Sequence, residues 1–152
     1  MVSRKTIDDF LAQKKVAVVG VSRTGKGFGC LIYRELKSKG YQVYAVNPQA
    51  SVIDGDPCYP SLKLLPEAVG GAVFVIPPAE TEKAVQVVAE VGIPRVWMQQ
   101  GSESHHAIQF CRDHGISVVY GECMLMFAEP AAIFHRIHRC VKRLIGKLPP
   151  PA

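Results

Sequence analysis

Short apolar runs that alternate with amphipathic helical patterns constrain the fold of this 152-residue chain more than any other feature. Five runs are rich in β-branched residues, and each has a glycine or proline within a few residues of its end, as strands do. They are KKVAVVG (14–20), QVYAVNP (42–48), AVFVIPP (72–78), RVWMQQG (95–101) and SVVYGEC (117–123). Because the runs are apolar throughout rather than at alternate residues, they predict a parallel sheet that is buried on both faces.

Helical periodicity occupies most of the sequence between the runs. It covers residues 29–40, 79–91 and 102–114, and each of these segments closes on a glycine before the next strand. Residues 49–71 are rich in proline, glycine and aspartate and predict a long connection with a short helix near 61–65, ended by Pro66. The alternation predicts a single α/β domain, a doubly wound, Rossmann-like parallel sheet of five strands.

The last part of the chain has a different character from the α/β segment. We expect residues 1–130 to form the main domain with an N-terminal helix, and residues 148–152 to be disordered. Residues 131–147 predict a basic amphipathic helix packed on the domain, with a homodimer contact as the alternative. Its apolar stripe is Ile133, Phe134, Ile137, Val141, Leu144 and Ile145.

Charge and composition exclude several classes of protein. The net charge of +5 arises entirely after residue 130, because residues 1–130 hold 13 Lys and Arg against 13 Asp and Glu. A single basic helix face is typical of solvated surface, so we expect no nucleic-acid partner. No run of about 18 apolar residues is present, and we expect a cytoplasmic protein without membrane contact. Five cysteines without C-x-x-C spacing indicate reduced thiols.

The segment GVSRTGKG (20–27) after the first strand nearly matches two phosphate-binding motifs. As a P-loop it has Gly27 where a Ser or Thr must hold magnesium, so nucleotide hydrolysis is disfavoured. As a dinucleotide fingerprint it has Ser22 in place of the middle glycine. The second strand then ends in Asn47 and Pro48 rather than in the carboxylate that binds an NAD ribose.

What remains is a flexible glycine-rich loop that carries two cations, Arg23 and Lys26, and leads into a helix. The N–H groups and the dipole at a helix N-terminus favour an anion. The segment therefore predicts a ligand with more phosphate than NAD has. The alternative interpretation is a surface turn with two incidental cations.

Four segments at successive strand ends carry a family resemblance: GVSRTGKGFG, YQVYAVNP, VFVIPP and VWMQQG. In this order and at these intervals, they resemble the small stand-alone coenzyme A (CoA) binding proteins related to the CoA-binding domain of succinyl-CoA synthetase. The resemblance extends over residues 10–129.

The resemblance implies a binding site for CoA or an acyl-CoA along the strand ends. The residues it implies around the CoA phosphates are Gly20, Ser22, Arg23, Lys26 and Gly29, and Phe28 is a further expected cofactor-binding residue. Those it implies beside the adenosine and as the adenine-side wall are Asn47, Pro48, Ile76, Pro77 and Pro78. Those it implies near the pantetheine path are Gln99 and Gly101.

Two strand ends depart from the family pattern. The third strand ends in Ile76 and Pro77 where the stand-alone relatives usually have an Arg, so one phosphate or ribose contact is not accounted for. The fifth strand ends in Gly-Glu-Cys-Met (121–124) instead of Asp-Arg-Cys-Met, which replaces a cation with an acid.

Catalysis by this chain alone is not expected, because by the resemblance the phosphohistidine and the ATP-binding subunit belong to parts that it lacks. An enzyme that uses Cys123 on a thioester or redox partner is one alternative, and an NADP-type protein that uses Arg23 is another. We interpret Cys123 and Trp97 as core residues and His105 and His106 as exposed helix residues. His135 and His138 lack a visible third ligand, so no metal is expected.

Overall fold

The computed structural model describes residues 2–127, which form four α-helices around one sheet. The helices are α1 (Arg4–Leu11), α2 (Phe28–Ser38), α3 (Pro78–Val91) and α4 (His105–Asp113). The strands are β1 (Lys15–Val19), β2 (Gln42–Val46), β3 (Val52–Ile53), β4 (Asp56–Tyr59), β5 (Gly71–Phe74), β6 (Arg95–Gln99) and β7 (Ser117–Glu122). Two 3-10 helices cover Leu62–Leu64 and Met124–Met126.

The sheet order is β3-β4-β2-β1-β5-β6-β7, and every pairing except β3 with β4 is parallel. Helices α1 and α2 contribute to the apolar cluster on one face, and α3 and α4 contribute to the cluster on the other. The predicted doubly wound, Rossmann-like fold is confirmed. The connections on either side of β1 leave toward opposite faces, so the carboxyl ends of the central strands open onto a crevice.

The predicted number of five strands was wrong, because the connection 49–71 contains two more. β3 and β4 form a small antiparallel hairpin joined by Asp54 and Gly55, which both have positive φ (50° and 81°). A two-residue Asp-Gly turn with this geometry is the usual signal for a hairpin. Arg34 of α2 donates from Nε and Nη2 to the two Asp54 carboxylate oxygens, at 2.6 and 2.8 Å, and so holds the hairpin against the helix.

Two smaller predictions are confirmed. The short helix expected near 61–65 is the 3-10 helix Leu62–Leu64, whose Lys63 N–H donates to the Ser61 hydroxyl at 3.2 Å. Trp97 is a core residue and is fully buried. Its indole Nε1 donates to the Glu122 carbonyl at 3.0 Å, which satisfies the one polar group of the ring.

Several predictions fall outside the described residues. They are the helix at 131–147, the tail 148–152, the pair His135 and His138, and Cys140. Within residues 2–127, no helix has both the length and the apolar character that crossing a membrane requires.

Candidate functional site

A cleft of about 400 Å³ opens at the carboxyl ends of β1, β2, β4 and β5. This volume falls within the range of small-molecule sites in proteins, which is about 300–1,000 Å³. The strand ends and the turns after them contribute Val19, Gly20, Val46, Asn47, Pro48, Pro60, Ser61, Leu62 and Ile76. One face of α3 contributes Glu80, Lys83, Ala84 and Val87.

The loop after β1 begins at the floor of this cleft and is packed tightly by two glycines. Gly20 has φ 106°, and a Cβ there would lie 2.1 Å from the Val75 carbonyl oxygen. A Cβ on Gly29, in the first turn of α2, would lie 2.2 Å from the Gly20 carbonyl oxygen. Both positions therefore require glycine, because backbone approaches backbone without room for a side chain.

The helix that follows the loop has an open N-terminus. α2 begins after Gly27 without a side-chain cap, whereas α1 and α4 are capped by Ser3 and Ser104. The first N–H groups of a helix have no partner within the helix. At α2 they can therefore serve an anionic ligand, with the helix dipole in support.

The loop also carries cations that no acid among the described residues neutralises. Arg23 and Lys26 are exposed, and neither side chain has an ion-pair or hydrogen-bond partner within residues 2–127. In the same part of the chain, only Lys5 and Lys14 share this condition. The loop is thus a site of free positive charge beside an open helix N-terminus.

Hydroxyl groups fix the shape of the loop from within. The Thr24 N–H donates to Ser22 Oγ at 3.2 Å, and the two hydroxyls lie 2.8 Å apart. The Gly25 N–H donates to the Ser22 carbonyl at 3.2 Å. These bonds form a tight turn that presents the side chains of Arg23 and Lys26 outward.

The Asn47 side chain ties the end of β2 to this loop. Its Nδ2 donates to the Val21 carbonyl at 2.8 Å, and its Oδ1 accepts from the Gln49 N–H at 2.8 Å. Both the nitrogen and the oxygen of this amide therefore form hydrogen bonds within the protein, even though Asn47 and the adjacent Pro48 line the cleft. The structure gives Asn47 a role in positioning the loop that the sequence did not reveal.

The end of β5 contributes one predicted wall residue, Ile76, to the cleft. The Ile76 N–H donates to the Ser102 hydroxyl at 3.1 Å, and Ser102 itself is buried. Pro77 and Pro78 follow directly and start α3, but they do not line the cleft.

The two residues predicted near the pantetheine path lie at and just after the end of β6 and do not line the cleft. Gln99 is 2% exposed, and its Oε1 accepts from the Met124 N–H at 3.1 Å. Gly101 has φ 95°, and its N–H donates to Glu103 Oε2 at 2.8 Å. Their role at the ligand stays a prediction.

The structure thus brings Gly20, Asn47, Pro48 and Ile76 together in one cleft, with Ser22, Arg23, Lys26, Phe28 and Gly29 on the adjoining loop and helix start. The sequence reasoning missed the opposite wall. That wall consists of residues 60–62 and the α3 residues 80, 83, 84 and 87. The four α3 residues have the spacing of one helix face, so periodicity could have grouped them. It could not have shown that this face borders a ligand site.

The candidate nucleophile and the paired histidines lie outside this cleft. Cys123 is 5% exposed and belongs to the apolar cluster on the α1 and α2 face of the sheet. His105 and His106 are exposed, as the sequence predicted, and His106 Nδ1 lies 3.6 Å from Glu82 Oε1. In the part of the chain that the structure describes, no group of three His, Cys, Asp or Glu residues is arranged to hold a metal ion.

Comparison with known proteins identifies the family to which this cleft and loop belong. The family model described as CoA binding domain matches residues 14–129. The chain belongs to this CoA-binding family. The resemblance predicted from the four strand-end segments is therefore confirmed.

Relatives of this CoA-binding domain occur both inside ligases and as small proteins. An ADP-forming acetate–CoA ligase of Archaeoglobus fulgidus is 31% identical over 130 residues, covering 79% of this chain and 19% of the ligase. The domain thus spans about a fifth of the length of that relative. A conserved hypothetical protein from Pyrococcus furiosus has a solved structure with 35% identity and a TM-score of 0.70, covering 73% of this chain and 96% of the other. A hypothetical protein from Pyrococcus horikoshii reaches a TM-score of 0.75 at 27% identity, covering 81% and 87% of the two chains.

Proposed function

We propose that this CoA-binding domain holds CoA or an acyl-CoA with the adenosine in the cleft and the phosphates on the loop 20–29. The observation that carries the proposal is the junction at Gly20, which belongs to both the cleft and the loop. A ligand that has an apolar ring at one end and phosphates next to it fits such a junction. Membership of the family supports CoA as that ligand.

The charge of the loop supports the placement of the phosphates. Arg23 and Lys26 lack acidic partners within residues 2–127, so a ligand need not displace an existing ion pair to reach them. Charge-assisted hydrogen bonds to phosphate are stronger than neutral ones. The open N-terminus of α2 adds N–H donors on the same side.

The composition of the cleft supports the placement of the adenine ring. Val46 and Ile76 stand at the strand ends, and Ala84 and Val87 face them from α3. Apolar walls with a few polar groups at the margin are typical of sites for flat heterocycles.

We further propose that the chain binds CoA without carrying out chemistry on it. Burial of Cys123 supports this, because a thioester or disulfide would have to reach a thiol that is 5% exposed. The ligase relative contains about five times the length matched here, which leaves room elsewhere in that protein for its reaction.

Calorimetry with CoA, dephospho-CoA, NAD and ATP tests the binding proposal. We expect CoA to bind most tightly of the four ligands. It carries three phosphate groups, whereas dephospho-CoA and NAD carry two. ATP also carries three, but it lacks the pantetheine arm. Equal affinity for NAD, or no response to CoA, would contradict the proposal.

A second experiment separates binding from chemistry. Wild-type protein and the variant Cys123→Ala are incubated with acetyl-CoA and with a disulfide substrate, and product is followed over time. We expect neither protein to turn over, with equal CoA affinities for the two. Turnover by the wild type that is lost in the variant would establish the enzyme alternative instead.

A further inference from the structure

Among the described residues that line the cleft, only two are charged, and both lie in the first two turns of α3. Glu80 and Lys83 lie one helical turn apart, with Lys83 Nζ 3.2 Å from Glu80 Oε1. Their side chains are 55% and 75% exposed. An exposed ion pair within one helix contributes little, so a ligand can rearrange it readily.

The other polar side chains of the cleft are already used by the protein. The Asn47 amide binds the Val21 carbonyl and the Gln49 N–H. The Ser61 hydroxyl accepts from the Lys63 N–H. Specific recognition by a side chain inside the cleft therefore falls to the pair on α3.

We propose that Lys83 binds the ribose phosphate that distinguishes CoA from dephospho-CoA. In doing so, its ammonium group would leave the Glu80 carboxylate and pair with that phosphate. This inference rests on the proposed function, which directs the adenosine into the cleft and the diphosphate toward the loop 20–29. The ribose joins these two parts, so under that proposal it lies in the cleft near Gly20, and Lys83 is the one cation among the described residues that line this cleft. A phosphate carries more charge than a carboxylate and offers three acceptor oxygens, and it therefore competes well for one ammonium group.

The loop cations serve a different part of the same ligand. Arg23 and Lys26 are absent from the cleft lining, and Lys83 is absent from the loop. The two sets can therefore be separated by experiment. Loss of loop charge weakens every ligand that has a diphosphate, whereas loss of Lys83 weakens only ligands that have the additional ribose phosphate.

The test compares CoA with dephospho-CoA on the variant Lys83→Gln by calorimetry at low salt. We expect CoA binding to weaken by about tenfold to a hundredfold, the range of a charge-assisted contact, with dephospho-CoA changed less than about twofold. Lys83→Arg retains the charge and should retain the preference for CoA.

Lys63→Gln is the matched control. Lys63 forms a similar exposed ion pair with Glu90 at 2.6 Å, close to the cleft but outside its lining. We expect this variant to bind both ligands as the wild type does.

The inference alone would be overturned if Lys83→Gln weakens both ligands by the same factor, or if it weakens neither, while the wild type binds CoA. Failure of the wild type to bind either ligand would instead overturn the proposed function, and the inference with it. A loss of CoA preference in Lys63→Gln equal to that in Lys83→Gln would also overturn the inference, because it would indicate a general effect of surface charge.

Discussion

The substitution Gly29→Ala tests the close contact between α2 and the loop that we propose holds the phosphates. The added Cβ would lie 2.2 Å from the Gly20 carbonyl oxygen, 2.9 Å from its carbonyl carbon and 3.3 Å from the Val21 nitrogen. All three atoms are backbone, so no side-chain rotation relieves the clash. The loop must move away from the helix instead.

Two opposing effects determine the sign of the change in stability. Alanine exceeds glycine in helix propensity by about 0.8–1.0 kcal/mol. Overpacking of this kind costs about 1–3 kcal/mol, and the upper half applies because the Asn47 side chain anchors the loop at the Val21 carbonyl. We expect a net destabilisation of about 1–2 kcal/mol, and a fall in Tm of roughly 2–8 °C for a chain of this size.

Thermal denaturation of the wild type and Gly29→Ala measures this effect, with Ser38→Ala as the control. Ser38 occupies an exposed position of the same helix, so alanine there should leave Tm unchanged or slightly higher. The displaced loop in Gly29→Ala should also weaken CoA binding. A Tm for Gly29→Ala at or above that of the wild type would refute the reasoning.

Three further predictions follow from contacts in the structure. Asn47→Asp removes the donor to the Val21 carbonyl and places charge beside it, so we expect weaker CoA binding in calorimetry; wild-type affinity would argue against a positioning role for Asn47. Burial, assisted by the hydrogen bond to Glu67, raises the pKa of Tyr44 to about 12. The stability that the protonated Tyr44 hydroxyl contributes is complete below the unfolded pKa of about 10 and is lost as pH rises toward 12. The Tm of Tyr44→Phe should therefore fall less than that of the wild type between about pH 10 and 12; equal falls would contradict the assignment. The thiols within residues 2–127 are all buried, so a Cys140→Ala variant should react with a thiol reagent at pH 8 only after denaturant is added, and rapid native labelling would refute their burial.

The main strands could be predicted from the sequence because their apolar runs are continuous. A strand that is buried on both faces, such as β5, requires apolar residues at nearly every position, and this pattern is visible without any tertiary information. The hairpin of β3 and β4 was missed because β3 has only two residues, one of them exposed. Its Asp-Gly turn was the available signal.

The cleft was predicted only on one side, for a physical reason. Residues at strand ends are brought together by the parallel sheet itself, so Gly20, Asn47 and Ile76 could be grouped from the sequence. The wall formed by Glu80 and Lys83 depends on how α3 is rotated against the sheet, which tertiary packing decides. The sequence was also silent on the hydrogen-bond partners of Asn47 and Gln99, since a polar side chain at a strand end can serve either a ligand or a neighbouring loop.

The most direct test of the account is the CoA affinity of the double variant Arg23→Gln/Lys26→Gln, measured by calorimetry at low salt. The control is Lys5→Gln/Lys14→Gln, which removes the other two cations that lack partners within residues 2–127. We predict at least a roughly hundredfold loss of CoA affinity for the loop variant, from two charge-assisted contacts, and little change for the control. Equal affinity in the loop variant and the wild type would contradict the claim that this loop holds the CoA phosphates.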